Sequence, residues 1–185
     1  MRSISGMPSD DLPVSENERA LHYKWEEGKM EIRRAKETDM EDINRLLCQV
    51  LMVHHNGRPD LFRANVKKYT DSELAKIIAD DTRPIFVGID ENGRMLGYAF
   101  CMFEEHDGSN ILAPVKTLYI DDICVDETLR GQHVGSLLYE HVLAFAKESG
   151  CYNLTLNVWE CNPSARKFYE AKGLVPYKTC MEKIL

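Results

Sequence analysis

The sequence predicts an α/β protein built on one mixed sheet of about six to seven strands flanked by helices, and three features carry that expectation. Residues 84–89 and 95–103 are apolar runs joined by Asp90-Glu91-Asn92-Gly93, a turn signal that makes them an antiparallel hairpin. Residues 117–125, 134–149 and 152–159 read as strand, helix and strand, a unit whose strands must lie parallel because a crossover joins them. A strand and two helices precede these, and a helix and a strand follow, which puts helices on both faces of the sheet.

Along the chain, residues 1–29 read as an N-terminal extension. Gly6, Pro8, Asp10, Asp11 and Pro13 mark an extended tail. Ser15 with Glu18 forms a capping-box pattern that opens a short helix over 16–27, carrying Leu21 and Trp25 on one side and ending before Gly28. The domain proper is expected over 30–185. Its first strand is 31–35, and Thr38-Asp39 caps a helix whose apolar face is Met40, Ile43, Leu46, Leu47, Val50 and Leu51. His54-His55-Asn56-Gly57-Arg58-Pro59-Asp60 is read as the loop that breaks this helix, and a second helix follows over 72–80. In the crossover helix Val134, Leu137, Leu138, Val142 and Phe145 share one face, and Gly150 ends it. Asn162 caps the last helix with Pro163 at its first position and Gly173 past its end; 174–184 supplies a closing strand.

Composition narrows function. The 185 residues are 44% hydrophobic and 29% charged, enough for one well-cored domain. A net charge of −7 argues against nucleic acid or an anionic membrane as partner and favours a cationic small one. No spanning apolar run occurs, and residues 1–11 lack the apolar core of a signal peptide, so a cytoplasmic protein is expected. The six cysteines lack any C-x-x-C pair and read as reduced thiols. Adjacent His54 and His55 are not spaced to face one ion, so no metal is expected.

The segment Arg130-Gly131-Gln132-His133-Val134-Gly135-Ser136 lies between a strand and a helix start, where unpaired N–H groups and the helix dipole attract anions. By itself it equally reads as an Arg-Gly turn entering a helix. The two commoner phosphate loops, G-x-x-x-x-G-K-[ST] and G-x-G-x-x-G after an early strand, are missing from the sequence. Downstream, after the second parallel strand, comes Asn162-Pro163-Ser164-Ala165-Arg166-Lys167-Phe168-Tyr169. This pair of segments resembles the GNAT superfamily of acyl-CoA-dependent N-acyltransferases over about residues 30–185. Arg130 and Gly135 match its R/Q-x-x-G-x-G/A loop, and Asn162, Ala165 and Tyr169 match its N-x-x-A-x-x-x-Y helix. His133 departs from the pattern by standing at the first loop glycine.

The resemblance implies a GNAT-like fold in which strands 117–125 and 152–159 splay apart to admit the pantetheine arm of acetyl-CoA. It places Ile123, Cys124 and Val125 along that arm, with a backbone N–H near Val125 polarising the thioester carbonyl. Gln132 to Ser136, including His133 and Val134, would hold the diphosphate, together with Arg130 and Gly131. Asn162 would touch the cofactor arm, and Tyr169 would protonate the leaving thiolate.

An alkyl amine has a pKa of roughly 10.4, so freeing its base at neutral pH costs about 4 to 5 kcal/mol and calls for a proton acceptor. Asp121 and Asp122 are the candidates. Strict alternation places them on opposite faces unless a bulge intervenes, and Asp121 is favoured. Cys124 has no histidine placed by sequence and reads as a core thiol apart from its backbone. The expected activity is acetyl transfer from acetyl-CoA to a primary amine of a small cationic molecule or peptide by direct attack. A non-catalytic acyl-CoA sensor, and transfer to a hydroxyl or of a longer acyl group, are the alternatives. The superfamily commonly forms homodimers.

Overall fold

The computed structural model describes residues 21–25, 28–105 and 109–185. Its sheet has six strands lying side by side in chain order: β1 (Leu21–Trp25), β2 (Gly28–Arg34), β3 (Ile85–Asp90), β4 (Met95–Glu105), β5 (Lys116–Val125) and β6 (Asn153–Leu156). All neighbours are antiparallel except β5 and β6, which the crossover makes parallel. Helices α1 (Met40–Gly57), α2 (Asp71–Ile78), α3 (Val134–Glu148) and α4 (Pro163–Ala171) flank it. The mixed sheet between helices is the fold the sequence predicts.

Local chemistry explains where these elements start and stop. In the β3–β4 turn, Asp90 Oδ1 accepts from the N–H groups of Asn92 and Arg94 at 2.8 and 2.9 Å, and Gly93 takes a left-handed φ of 81°. Thr70 caps α2 in a reciprocal box with Glu73. Asn162 Oδ1 accepts from Ala165 N–H at 3.1 Å, which caps α4 in front of Pro163.

The alternating side chains of β4 divide the interior in two. Ala99 and Cys101 turn to α3, where Leu118, Ile120, Leu138, Val142 and Phe145 complete one core. Tyr98 and Phe100 turn to α1 and α2, against Ile43, Leu46, Leu47, Leu74 and Ile77. Helices α1 and α3 therefore bury the faces their periodicity announced.

Three expectations are corrected. Residues 21–25 are strand rather than part of a helix; residues 16–20, 26 and 27 of the expected helix lie outside the described residues. The ladder from Leu21↔Ile32 to Trp25↔Gly28 satisfies backbone groups of β2, and Tyr23 reaches His141 on α3. His54, His55 and Asn56 form the last turn of α1 instead of a loop, and Arg58 N–H bonds His54 C=O at 2.8 Å. The closing strand over 174–184 does not form; residues 174–185 carry no regular structure. Among the described residues, no helix is long and apolar enough to cross a membrane.

Gly97 fixes how closely β4 approaches β5 and α3. A Cβ there would sit 2.6 Å from the Cys124 carbonyl oxygen and 2.9 Å from Leu138 Cδ1. Gly97→Ala is expected to cost about 2 kcal/mol through overpacking, read from the shift of the urea unfolding midpoint at unchanged m-value.

Candidate active site

Strand β5 is paired along both edges for only part of its length. Toward β4 its ladder runs from Lys116 to Val125, whereas toward β6 it runs from Thr117↔Asn153 to Ile120↔Leu156 and stops. Residues 121–125 thus present an uncovered edge among the described residues. Asp126 N–H bonds Leu96 C=O at 2.9 Å, so alternation turns the N–H and C=O groups of Val125 and Ile123 the other way, to that edge. Extended amide-bearing chains bind such edges by adding to the ladder. Cys124 keeps its side chain inward: Sγ donates to Leu46 C=O at 3.5 Å, and burial pushes the thiol up to about 12.

The divergence begins at a bulge. Phe100 pairs with Asp122 and Cys101 with Ile120, leaving Asp121 as the extra residue. Alternation from either side then puts both carboxylates on the α1–α2 face, where strict pleating would have separated them. Lys68, from the connection between α1 and α2, donates to Asp121 Oδ2 at 2.9 Å. Asp122 lies deeper and accepts from the hydroxyl of fully buried Tyr98 at 2.8 Å. Burial raises its carboxyl to about 6; Lys68 and the Tyr98 hydroxyl pull it down, and the Asp121 charge pushes it up.

The other end of the open edge leads to the start of α3. Asp126 accepts from Thr128 N–H and Oγ1 and from Arg45 Nη1, at 3.1, 2.8 and 2.7 Å, tying this loop to α1. Although burial opposes it, these donors hold the Asp126 carboxylate down at about 2. Gly131 and His133 both adopt left-handed backbone, at φ 85° and 65°. That conformation turns the chain into α3, whose first intrahelical bond is Leu137 N–H to His133 C=O; the N–H groups of the preceding turn point out of the helix end. Gly135 brings the helix against the sheet: a Cβ there would lie 3.3 Å from Val125 Cγ2. The Gln132 amide oxygen is buried without a hydrogen-bond partner among the described residues. Exposed Arg130 stands at the entrance. An anion at the helix end and an amide chain along β5 both fit these groups.

Helix α4 closes the gap from the α3 side. Tyr169 packs on Tyr139 and Phe168, at 6.5 and 5.1 Å between ring centroids. Its phenol is raised by burial and then by the charge of Asp122, so it stays protonated and is electrostatically coupled to that carboxylate. Asn162 caps α4, and its oxygen is thereby engaged.

On the opposite side, His54, Phe62 and Trp159 form an aromatic wall with centroid separations of 5.0 Å for each pair that includes Phe62. His55 holds it in place through a 2.7 Å contact between Nδ1 and the Phe62 carbonyl. Burial and nearby Lys68 lower the His54 pKa, which favours neutral imidazole. Lys68, Tyr98, Phe62 and Trp159 carried no pattern in the sequence that marked them out; Lys68 and Tyr98 meet the carboxylates only through tertiary packing. Exposed Glu160 pairs with Arg166 at 3.0 Å.

Comparison with known proteins agrees with this fold. The model of the acetyltransferase (GNAT) family matches residues 52–174. A probable glucosamine 6-phosphate N-acetyltransferase of Oryza sativa is 30% identical over 184 residues, covering 95% of this chain and 94% of that protein. One of Drosophila melanogaster is 26% identical over 147 residues, 79% of this chain; the alignment spans 61% of that relative's length. Among solved structures, a mutant of the BH1408 protein from Bacillus halodurans superposes with a TM-score of 0.80 at 30% identity, over 83% of this chain and 98% of that one.

A left-handed backbone costs a residue with a Cβ roughly 1–2 kcal/mol relative to glycine. His133→Gly is therefore expected to be more stable than His133→Ala by about 1 kcal/mol, measured by thermal and urea unfolding of the two variants side by side.

Proposed function

This chain belongs to the GNAT family of acetyltransferases, and from that premise we propose that it transfers acetyl from acetyl-CoA to a primary amine of a small cationic molecule or peptide by direct attack. The supporting observation is an open strand edge that begins at a half-buried carboxylate and ends at a helix N-terminus, with a phenol across the gap. Acetyl-CoA supplies the activated thioester. Ile123 and Val125 would hold its amide arm, and the N–H groups of 132–136, with Arg130 and Gly131 beside them, its diphosphate. The partnerless oxygen of Gln132 suits an N–H of the same ligand.

Within that cleft each residue has one task. Val125 N–H donates to the thioester carbonyl oxygen as charge builds there. Asp122 takes the proton of the attacking amine, directly or through one water. A carboxylate at about 6 is a far better acceptor than one at the ordinary value of 3.8, and it is still ionised at neutral pH. Asp121, paired with Lys68 at the more exposed position, orients the acceptor, so the role first favoured for Asp121 passes to its neighbour. Tyr169 delivers its proton to the sulfur. Burial that raises the phenol also raises a thiolate formed beside it, so the transfer does not become uphill.

Lys68 favours a second reading of the acceptor: an amine that also bears a phosphate, as in the glucosamine 6-phosphate named for the relatives. A free-thiol release assay with acetyl-CoA against alkyl amines, peptide amines, hydroxyl acceptors and amino-sugar phosphates chooses among these.

The base form of Asp122 is gained as pH rises through about 6, so kcat/KM is expected to climb below that pH and level off above it. Asp122→Asn should remove this limb and lower kcat by about 100-fold or more; an unchanged profile would take the base role away from it. Tyr169→Phe should leave coenzyme A binding by calorimetry intact while thiol release drops at least tenfold. Equal rates would make Tyr169 structural, and binding without any release in the parent protein would point to a sensor.

A further inference from the structure

The proposed mechanism brings an alkyl ammonium to the two carboxylates at the head of the open edge, and the chain already holds one of its own there. Lys68 Nζ lies 2.9 Å from Asp121 Oδ2 and 5.3 Å from the centre of the Tyr69 ring. A carboxylate and an aromatic face are the groups that recognise a small cation. Tyr69 stacks on Phe100, at 6.1 Å between ring centroids, and Phe100 is the cross-strand partner of Asp122. The Lys68 charge is felt throughout the pocket: it adds to burial in lowering His54 of the aromatic wall, and it opposes burial at Asp122.

This lysine differs from its neighbour in the chain. The Lys68 side chain is 36% exposed, whereas Lys67 is 56% exposed in a pair with Asp71. Burial works against the Lys68 ammonium, but the hydrogen bond to Asp121 and the charge of Asp122 outweigh it and hold the pKa above the ordinary lysine value. Its free base is therefore scarce, and any reaction there is slow beside turnover of a freely exchanging amine. The connection that carries it, between Gly57 and Asp71, contains no helix or strand, so no regular ladder fixes how far the side chain extends along the edge.

We infer that Lys68 is an internal acceptor: when no other amine fills the pocket, its Nζ takes the acetyl group of the acetyl-CoA bound to the same chain. The ammonium first gives a proton to Asp121 along their existing hydrogen bond. Nζ then forms a bond to the acetyl carbon, the carbon–sulfur bond breaks, and Tyr169 protonates the sulfur. A second proton leaves Nζ through Asp122; of the two protons lost, one replaces that of Tyr169 and one goes to solvent. The product is a neutral amide, so Asp121 loses its counter-charge and the pocket becomes more acidic. Acetylated chain would then favour a plain cationic amine over one that bears phosphate. This inference rests on the acetyl transfer proposed above and adds to it an acceptor that the chain itself supplies.

The test starts from the full chain treated with a lysine deacetylase and repurified, incubated with trideuterated acetyl-CoA and no added amine, and analysed by peptide mass mapping. Lys68 should gain label about tenfold or more faster than Lys67, because an amine held in place reacts as an intramolecular partner. Its rate per chain should be unchanged when the protein is diluted, and excess free coenzyme A should suppress it. Lys68→Arg, which keeps a cation beside Asp121, should lose this label without passing it to Lys67. The same preparation is assayed for thiol release with added amines. Release with an added amine but an unlabelled Lys68 would overturn the internal acceptor and leave the proposed transfer standing, whereas neither release nor label would remove both. Equal labelling of Lys67, label that coenzyme A fails to suppress, or a per-chain rate that falls on dilution would each overturn it as well.

Discussion

The site depends on one constraint: β5 keeps its partner along one whole edge and loses it along half of the other. A strand edge inside a folded protein carries N–H and C=O groups that must be satisfied by something. Here the extra residue Asp121 adds twist where Ile120↔Leu156 is the last pair, so β6 diverges and residues 121–125 are left to bond a ligand. The same bulge rotates two consecutive carboxylates to one side. In the proposed mechanism recognition and proton transfer thus both arise from one irregularity in one strand.

Burial then separates the paired carboxylates chemically. Asp121 reaches Lys68 and the solvent margin, whereas Asp122 sits under Tyr98 where hydration is lost. Asp122 therefore holds its proton to a higher pH than an ordinary carboxylate, because desolvation outweighs the pull of Lys68 and of the Tyr98 hydroxyl. Asp126, five residues on from Asp121, shows the opposite balance: three donors, from Thr128 and Arg45, overcome burial and keep it ionised. In the proposed mechanism the first acid takes a proton, and the other anchors a loop.

The turn into α3 is equally a matter of backbone geometry. His133 occupies a left-handed position that glycine fills at lower cost, and the fold tolerates it because Leu129 and Val134 are buried on either side of the turn. Gly135 next to it is required for contact rather than for conformation: it lets α3 start against Val125, which aligns the helix end with the open strand edge.

Local chemistry made much of this legible from the sequence. The hairpin at Asp90–Gly93, the parallel unit around α3, the cap at Asn162 and the loop from Arg130 to Ser136 all rest on residues within a few positions of one another, where periodicity and turn preference act. The exceptions are non-local. Leu21–Trp25 is a strand because β2 offers an edge, and 174–184 pairs with no strand among the described residues. Nor can alternation foresee a bulge, since the register of β5 is set by β4. The sequence by itself determined the fold class, the loop that suits a diphosphate and the presence of two acids and a phenol. Only the tertiary structure decided that Asp122 is the buried acid and that Tyr98 and Lys68 attend the pair, because burial and cross-strand register depend on residues distant along the chain.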